Sequence, residues 1–134
     1  MKKKVVITGV STGIGYSAAQ ILCNAGYQVF GSVRKEDDAN KAAEEFGENF
    51  TPLIFDVTDA TAIKNCAEEV EKTLKPGEVL TGLVNNAGVA MGGPVTLIDT
   101  DVFRQQFEVN FFGLIEVTKT FLPLLGAVKG SQAQ

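Results

Sequence analysis

A chain of 134 residues, 45% hydrophobic and 21% charged, is enough for about one soluble domain with its own core, which excludes disorder and removes any need for a metal or disulfide staple. Twelve basic against sixteen acidic residues leave a net charge of −4, so the broad attraction that drives nonspecific nucleic-acid binding is missing. His is absent, which excludes His-based acid, base and metal schemes, and two Cys without a CxxC pair make no structural zinc site.

The chain opens on Met1 and three lysines, but the apolar run Val5-Val6-Ile7 stops at Thr8-Gly9, too soon for a signal peptide. No run approaches the ~20 apolar residues of a membrane span. A reducing cytoplasm is therefore expected, with Cys23 and Cys66 free. Val5 to Thr8 reads as a strand buried on both faces. After a glycine-rich turn, Ile14, Ala18, Ile21, Leu22 and Ala25 recur at helical spacing, and Gly26 terminates that helix. A second strand runs from Gln28 to Ser32, a charged helix from Asp37 to Phe46, and a third strand from about Pro52 to Phe55. Thr58 or Asp59 caps a helix with Ile63, Cys66, Ala67, Val70 and Leu74 on one face, and Pro76-Gly77 breaks it. A fourth strand spans Leu80 to Asn85, followed by loop to Pro94. Beyond Asp99, Phe103, Phe107, Phe111, Leu114, Ile115, Phe121 and Leu122 form an apolar stripe on two consecutive helices divided near Asn110.

Strand and helix alternating in this way predict an α/β fold, a doubly wound parallel sheet of Rossmann type, with about four strands in the order 3-2-1-4. Right-handed crossovers then place the first two helices on one face and the third on the other, so Cys23 and Cys66 lie on opposite sides and no disulfide joins them. Residues 1–130 are read as one partial dinucleotide-binding domain and 131–134 as a polar tail.

Thr8-Gly9-Val10-Ser11-Thr12-Gly13-Ile14-Gly15 joins the first strand to the first helix. Glycines there allow a tight turn and close approach of a pyrophosphate, and the helix N-terminus supplies unpaired N–H groups. Tight helix packing alone would also use glycines, but the strand before and helix after favour phosphate binding. A triphosphate loop is disfavoured because no Lys-Ser or Lys-Thr follows the last glycine.

The spacing Thr-Gly-x-x-x-Gly-x-Gly resembles that of the short-chain dehydrogenase/reductase family. Three further elements agree in order: Asp56-Val57 after the third strand, Asn85-Asn86-Ala87-Gly88 after the fourth, and Asn110 within Phe107-Glu108-Val109-Asn110. Glu108 to Gly113, and Val117-Thr118-Lys119 onward to Leu125, look most like the retinol, steroid and hydroxybutyrate dehydrogenase-like branch. The resemblance covers about residues 4–130. It implies that Gly9, Ser11, Thr12, Gly13, Ile14 and Gly15 cradle the phosphates and adjoining ribose of a dinucleotide. By the same resemblance Asp56 and Val57 flank adenine, and Asn86, Ala87 and Gly88 line the ribose on the nicotinamide side. Asn110 is implied in an auxiliary catalytic part, organising a proton relay. Asn85 and Asn86 also suit a plain turn, their amides bonding local backbone.

An NAD site of this type carries an Asp or Glu about 20 residues beyond the glycines, bonded to the ribose 2′-OH. Here the second strand ends in Gly31-Ser32-Val33-Arg34-Lys35. A guanidinium grips a 2′-phosphate that a carboxylate would repel. NADP(H) is therefore preferred over NAD(H), mainly through Arg34 with help from Ser32 or Lys35. Against this, the residue before the middle glycine is Thr12 rather than a basic one, and Asp37 and Asp38 follow close behind.

The family transfers hydride between nicotinamide and an alcohol or carbonyl, using a Ser and a Tyr with Lys four residues later. Four residues after Tyr16 stands Gln20, and after Tyr27 Gly31, so neither Tyr begins such a pair. Ser131 lies where a fifth strand would only be starting and reads as part of the tail. The leading expectation is the dinucleotide-binding half of an NADP(H)-dependent oxidoreductase acting on a small alcohol or ketone, truncated and inactive alone. The alternative is a non-catalytic dinucleotide-binding or interaction module. A methyltransferase-like nucleoside domain shares only the glycine turn. With the fourth strand left as an edge, self-association into a homo-oligomer is expected.

Overall fold

The computed structural model describes residues 2–127. Its strands are β1 (Lys4–Ile7), β2 (Gln28–Val33), β3 (Phe50–Ile54) and β4 (Gly82–Val84), all parallel in the order β3-β2-β1-β4. Val6 sits opposite Phe30 on one side and Leu83 on the other. The helices are α1 (Gly13–Asn24), α2 (Glu36–Phe46), α3 (Ala60–Thr73), α4 (Thr100–Phe107) and α5 (Leu114–Phe121), with a π turn, Glu108–Gly113, between the last two. The expected doubly wound sheet and its strand order are both present.

Side chains alternate along each strand, and this builds two cores. Val5, Ile7, Val29 and Val33 pack with Ala19 and Cys23 of α1 and Ala39 and Ala42 of α2. Val6 and Phe30 pack on the other face with Ile63, Cys66 and Val70 of α3 and Val117 and Phe121 of α5. Cys23 and Cys66 therefore belong to different cores separated by the sheet. Both are free, and burial pushes each thiol's pKa up, which suits packing rather than nucleophilic chemistry.

Local chemistry decides the element ends. Of the two cap candidates for α3, Asp59 takes the position, its carboxylate accepting from Ala62 N at 3.1 Å. The Thr58 hydroxyl is engaged instead with Asp56 Oδ1 at 2.7 Å. β3 starts at Phe50, earlier than Pro52, because Phe50 is already in register with Val29. β4 is shorter than the expected Leu80–Asn85, because both ends leave the ladder. Leu80 N donates to Leu124 O at 2.8 Å, and past Val84 the Asn86 N–H donates to the Thr8 hydroxyl at 3.0 Å instead of a strand carbonyl.

Two expected faces need correction. On α1 the residues that meet the sheet are Gly15, Ala19 and Cys23, while Ile14 and Ile21 are 82% and 66% exposed. Small residues four apart let the helix lie close to β2 and the Gly9 turn, and that rotation turns both isoleucines outward. In the C-terminal stripe the buried line is Gly113, Val117 and Phe121, whereas Phe107, Phe111, Leu114, Ile115 and Leu122 are exposed. That line meets α3 and the sheet, and among the described residues no element covers the opposite flank. The division near Asn110 is present as the π turn. Lys129, Gly130 and the tail Ser131–Gln134 lie outside the described residues.

Candidate functional site

The turn after β1 is fastened on both sides. Thr8, 1% exposed, accepts at Oγ1 from Asn86 N at 3.0 Å and Ala87 N at 2.9 Å. Asn86 Nδ2 donates to Gly9 O at 2.8 Å. Toward β2, Gly9 N donates to Ser32 Oγ and Val10 N to Ser32 O, each at 3.0 Å. The Asn86 amide thus reaches the neighbouring turn after β1 rather than bonding local backbone, and that of Asn85 reaches the Thr118 hydroxyl on α5.

The glycines of the turn have separate tasks. Gly9 has a φ of +72°, and a Cβ there would stand 2.9 Å from Ala87 Cα, so the two loops touch backbone to backbone. A Cβ at Gly15 would run into the Gly9 carbonyl and the Asn86 amide. Gly13, with a φ of +65°, opens α1 and faces empty space. Thr12 makes no side-chain cap, so the first turn of α1 keeps N–H groups free for an anion. An open left-handed glycine at an uncapped helix start fits a pyrophosphate.

The far wall comes from the ends of β2 and β3. Arg34 and Lys35 follow β2, and Asp38 enters from the first turn of α2, while Asp37 stays outside. Across from them Asp56 accepts at Oδ1 from Thr58 N at 2.9 Å and from the Thr58 hydroxyl. The Thr58 N–H, the strongest influence, holds the Asp56 carboxyl below the usual carboxylate range. Its hydroxyl and the Arg34 charge act in the same direction, and partial burial acts against them.

The third wall is the loop after β4, pinned by Asn110. Asn110 Oδ1 accepts from Val89 N at 2.8 Å and Nδ2 donates to Val89 O at 2.6 Å. The π turn that carries Asn110 passes close to Val57, for a Cβ on Gly113 would lie 2.7 Å from Val57 Cγ2. π turns inside helices commonly mark functional positions, because they re-aim one side chain without ending the helix.

These walls enclose one cleft of about 280 Å³ at the carboxyl ends of the strands, where open α/β sheets bind ligands. Of the thirteen residues expected at the cofactor, all but Gly13, Ile14 and Gly15 border it. Those three form the helix start beside it, with the Ile14 side chain turned to solvent. Sequence reasoning missed the apolar lining, Val33, Phe55, Val89 and Val109. A usable signal existed for the first two, since both end or follow strands at the sheet's carboxyl edge. Neither tyrosine borders the cleft, and Tyr16 donates to Glu45 Oε2 at 2.7 Å on the outer surface. That acceptor, with the Glu45 charge, raises the phenol's pKa, opposite to the shift a proton-transfer tyrosine needs. Among the described residues no group of three or more metal-ligating side chains converges, and no helix is long and apolar enough to cross a membrane.

Comparison with known proteins agrees with this geometry. Residues 3–133 match the model of a family described as short chain dehydrogenase. The NADPH-dependent 3-dehydrocapnine reductase of Ornithobacterium rhinotracheale is 44% identical over 130 residues, covering 96% of this chain and 45% of that protein. The mitochondrial D-beta-hydroxybutyrate dehydrogenase of Bos taurus is 32% identical over 133 residues, covering 96% of this chain and 39% of that protein. The crystal structure of NADPH-bound carbonyl reductase from chicken fatty liver superposes with a TM-score of 0.81 at 26% identity, covering 92% of this chain and 48% of that one. The chain thus spans less than half the length of each of these.

Proposed function

Because the chain belongs to the short-chain dehydrogenase family, we propose that it is the dinucleotide-binding part of an NADP(H)-dependent oxidoreductase that interconverts an alcohol and a carbonyl. The observation that carries the NADP(H) preference is the cleft wall after β2, where Arg34 and Lys35 border the cavity and no carboxylate ends the strand. The NADPH named for the reductase from Ornithobacterium and for the chicken enzyme supports the same choice.

In this reading the free N–H groups at Gly13 and its neighbours hold the pyrophosphate, with Gly9, Ser11 and Thr12 closing the turn around it. Arg34 grips the 2′-phosphate, with Lys35 adding charge. Asp56 and Val57 flank adenine, while Asn86, Ala87 and Gly88 border the nicotinamide-side ribose. Bound here, the nicotinamide supplies hydride chemistry. Asn110 keeps the loop at Val89 in place, an auxiliary part in catalysis. The proton donor and its Lys partner belong elsewhere in the parent enzyme, so the chain alone is expected to bind and not to turn over. The exposed flank of α4 and α5, with edge strand β4, is expected to pair with a second copy. A cytoplasmic setting is part of this reading, with Cys23 and Cys66 as buried free thiols.

The test is titration of the chain with NADPH and NADH, followed by nicotinamide fluorescence. Tighter binding of NADPH is expected. Tighter NADH binding would sink the preference, and binding of neither would sink the whole reading. A second reading, a non-catalytic binding module, is favoured by the position of Tyr16 on the outer surface, bonded to Glu45. Reading the gene past the Gln134 codon separates the two: an in-frame Ser and Tyr-x-x-x-Lys supports the enzyme, and a stop supports the module.

A further inference from the structure

Ser32 is the penultimate residue of β2 and is 3% exposed. Thr8 and Ser32 are the buried polar side chains among the described residues, and both serve the same turn from opposite sides. Ser32 Oγ takes the Gly9 N–H, and Ser32 O takes the Val10 N–H. The Gly9 carbonyl is taken by Asn86 Nδ2, and Gly9 is in backbone contact with Ala87. Both hydrogen-bonding groups of Gly9 are therefore engaged by neighbouring strand ends. Two consecutive peptide planes, those carrying the Gly9 and Val10 N–H groups, are fastened to a single residue of β2. The direction in which the turn enters Ser11, Thr12 and the start of α1 follows from those planes.

Ser32 lies two positions before Arg34, and sequence position alone suggests a contact to the ribose 2′-substituent. We infer instead that Ser32 is a positioning residue for the phosphate turn, its hydroxyl holding the Gly9 N–H so that the N–H groups at the head of α1 are aimed at the pyrophosphate. This rests on the dinucleotide reading of the cleft and deepens it. It divides the end of β2 into two functions: Ser32 serves what NAD and NADP share, and Arg34 serves what distinguishes them. Removing the hydroxyl leaves the partly buried Gly9 N–H without its acceptor and frees the turn to rotate.

The experiment compares Ser32→Ala, Ser32→Thr and Arg34→Ala by titration with NADP+ and NAD+, alongside amide hydrogen exchange at Gly9 in the unliganded chain. Ser32→Ala is expected to weaken both dinucleotides alike, by roughly tenfold, leaving their ratio unchanged. Gly9 exchange is expected to accelerate in Ser32→Ala and to stay slow in Ser32→Thr, which keeps a hydroxyl. Arg34→Ala is expected to weaken NADP+ alone. A loss in Ser32→Ala confined to NADP+ would make Ser32 a 2′-phosphate contact and overturn the inference. So would unchanged Gly9 exchange. A wild-type chain that binds neither dinucleotide, with Gly9 still protected by Ser32, would overturn the dinucleotide reading and with it the functional part of this one.

Discussion

Asn110 holds Val89 with both atoms of its amide, accepting from the Val89 N–H at 2.8 Å and donating to the Val89 carbonyl at 2.6 Å. This pairing copies the two-bond exchange of a strand ladder with a single side chain. It fastens the loop after β4 to the π turn and closes one wall of the cleft. Asn110→Ala is expected to cost about 1–3 kcal/mol in denaturant unfolding, since both backbone groups lose their partner. Faster proteolysis in the loop around Val89 should accompany it. A variant as stable and as protected as the parent would show that water replaces the amide at no cost.

Arg34 and Asp38 border the same wall with opposite charge. Arg34→Ala is expected to weaken NADP+ roughly ten- to a hundredfold, the range of a lost charge-assisted contact. Asp38→Asn should act in the other direction, strengthening NADP+ by about two- to fivefold through removal of a like charge. NAD+ affinity serves as the control in both titrations. Parallel changes for the two cofactors would contradict the assignment.

Glycines of the turn should separate folding from binding. Gly15→Ala drives a methyl into the Gly9 carbonyl and the Asn86 amide, and a loss of about 1–3 kcal/mol or more in stability is expected. Gly13→Ala meets no neighbour and carries only the strain of its positive φ, about 1–2 kcal/mol. Its larger effect should appear in cofactor affinity, because the added methyl faces the space read as the pyrophosphate site. Equal stability losses in the two variants, with equal affinity, would refute this division.

Stability should also respond to acid through Asp56. Its carboxyl is held below the usual range by the Thr58 N–H, with the Thr58 hydroxyl and Arg34 adding to the effect. A depressed folded-state pKa means that the unfolded chain binds the proton more readily, so stability falls as pH falls. The contribution is complete above the ordinary Asp value of about 4 and disappears as pH drops through the lower folded value. Asp56→Asn keeps an acceptor for Thr58 but does not titrate. Its unfolding free energy should therefore decline less steeply than the parent's below about pH 4. An identical acid limb in both proteins would remove Asp56 from the account.

The apolar flank of α4 and α5 predicts association. Phe107 is 62% exposed, Phe111 52% and Phe112 54%, and β4 is an edge strand of the sheet. A patch of this kind favours contact with a second surface. Light scattering across a concentration series should show mass rising above the 14.3 kDa of one chain. Phe111→Glu should lower it. A single species of monomer mass throughout the series would refute the expectation.

Much of the cleft lining was legible in the sequence, the glycine turn and Arg34 from local chemistry and the remainder through the family resemblance. Phosphate turns need glycines at set spacing between a strand and a helix, and the Asp56-Val57 pair, the Asn85-to-Gly88 turn and Arg34 each follow a strand end. Alternation pointed to the doubly wound sheet, and the handedness of crossovers told which helices share a face once the order 3-2-1-4 was taken. The rest depended on contacts between segments far apart in sequence. Nothing near Ser32 announces that its hydroxyl serves Gly9, twenty-three residues earlier. Nothing near Asn110 indicates that its amide closes on Val89, twenty-one residues away.

The helix faces divide in the same way. Periodicity marked Ile14 and Ile21 as apolar and helical, which they are, but the choice of buried face went to Gly15, Ala19 and Cys23 because small residues let α1 approach β2 and the Gly9 turn. The sequence by itself determined the fold class, the two-sided core and a glycine turn between β1 and α1, all of which rest on periodicity and glycine placement. Only the tertiary structure decided how that turn is aimed and held, because its hydrogen-bond partners come from the ends of β2 and β4 and meet it only when the sheet has assembled.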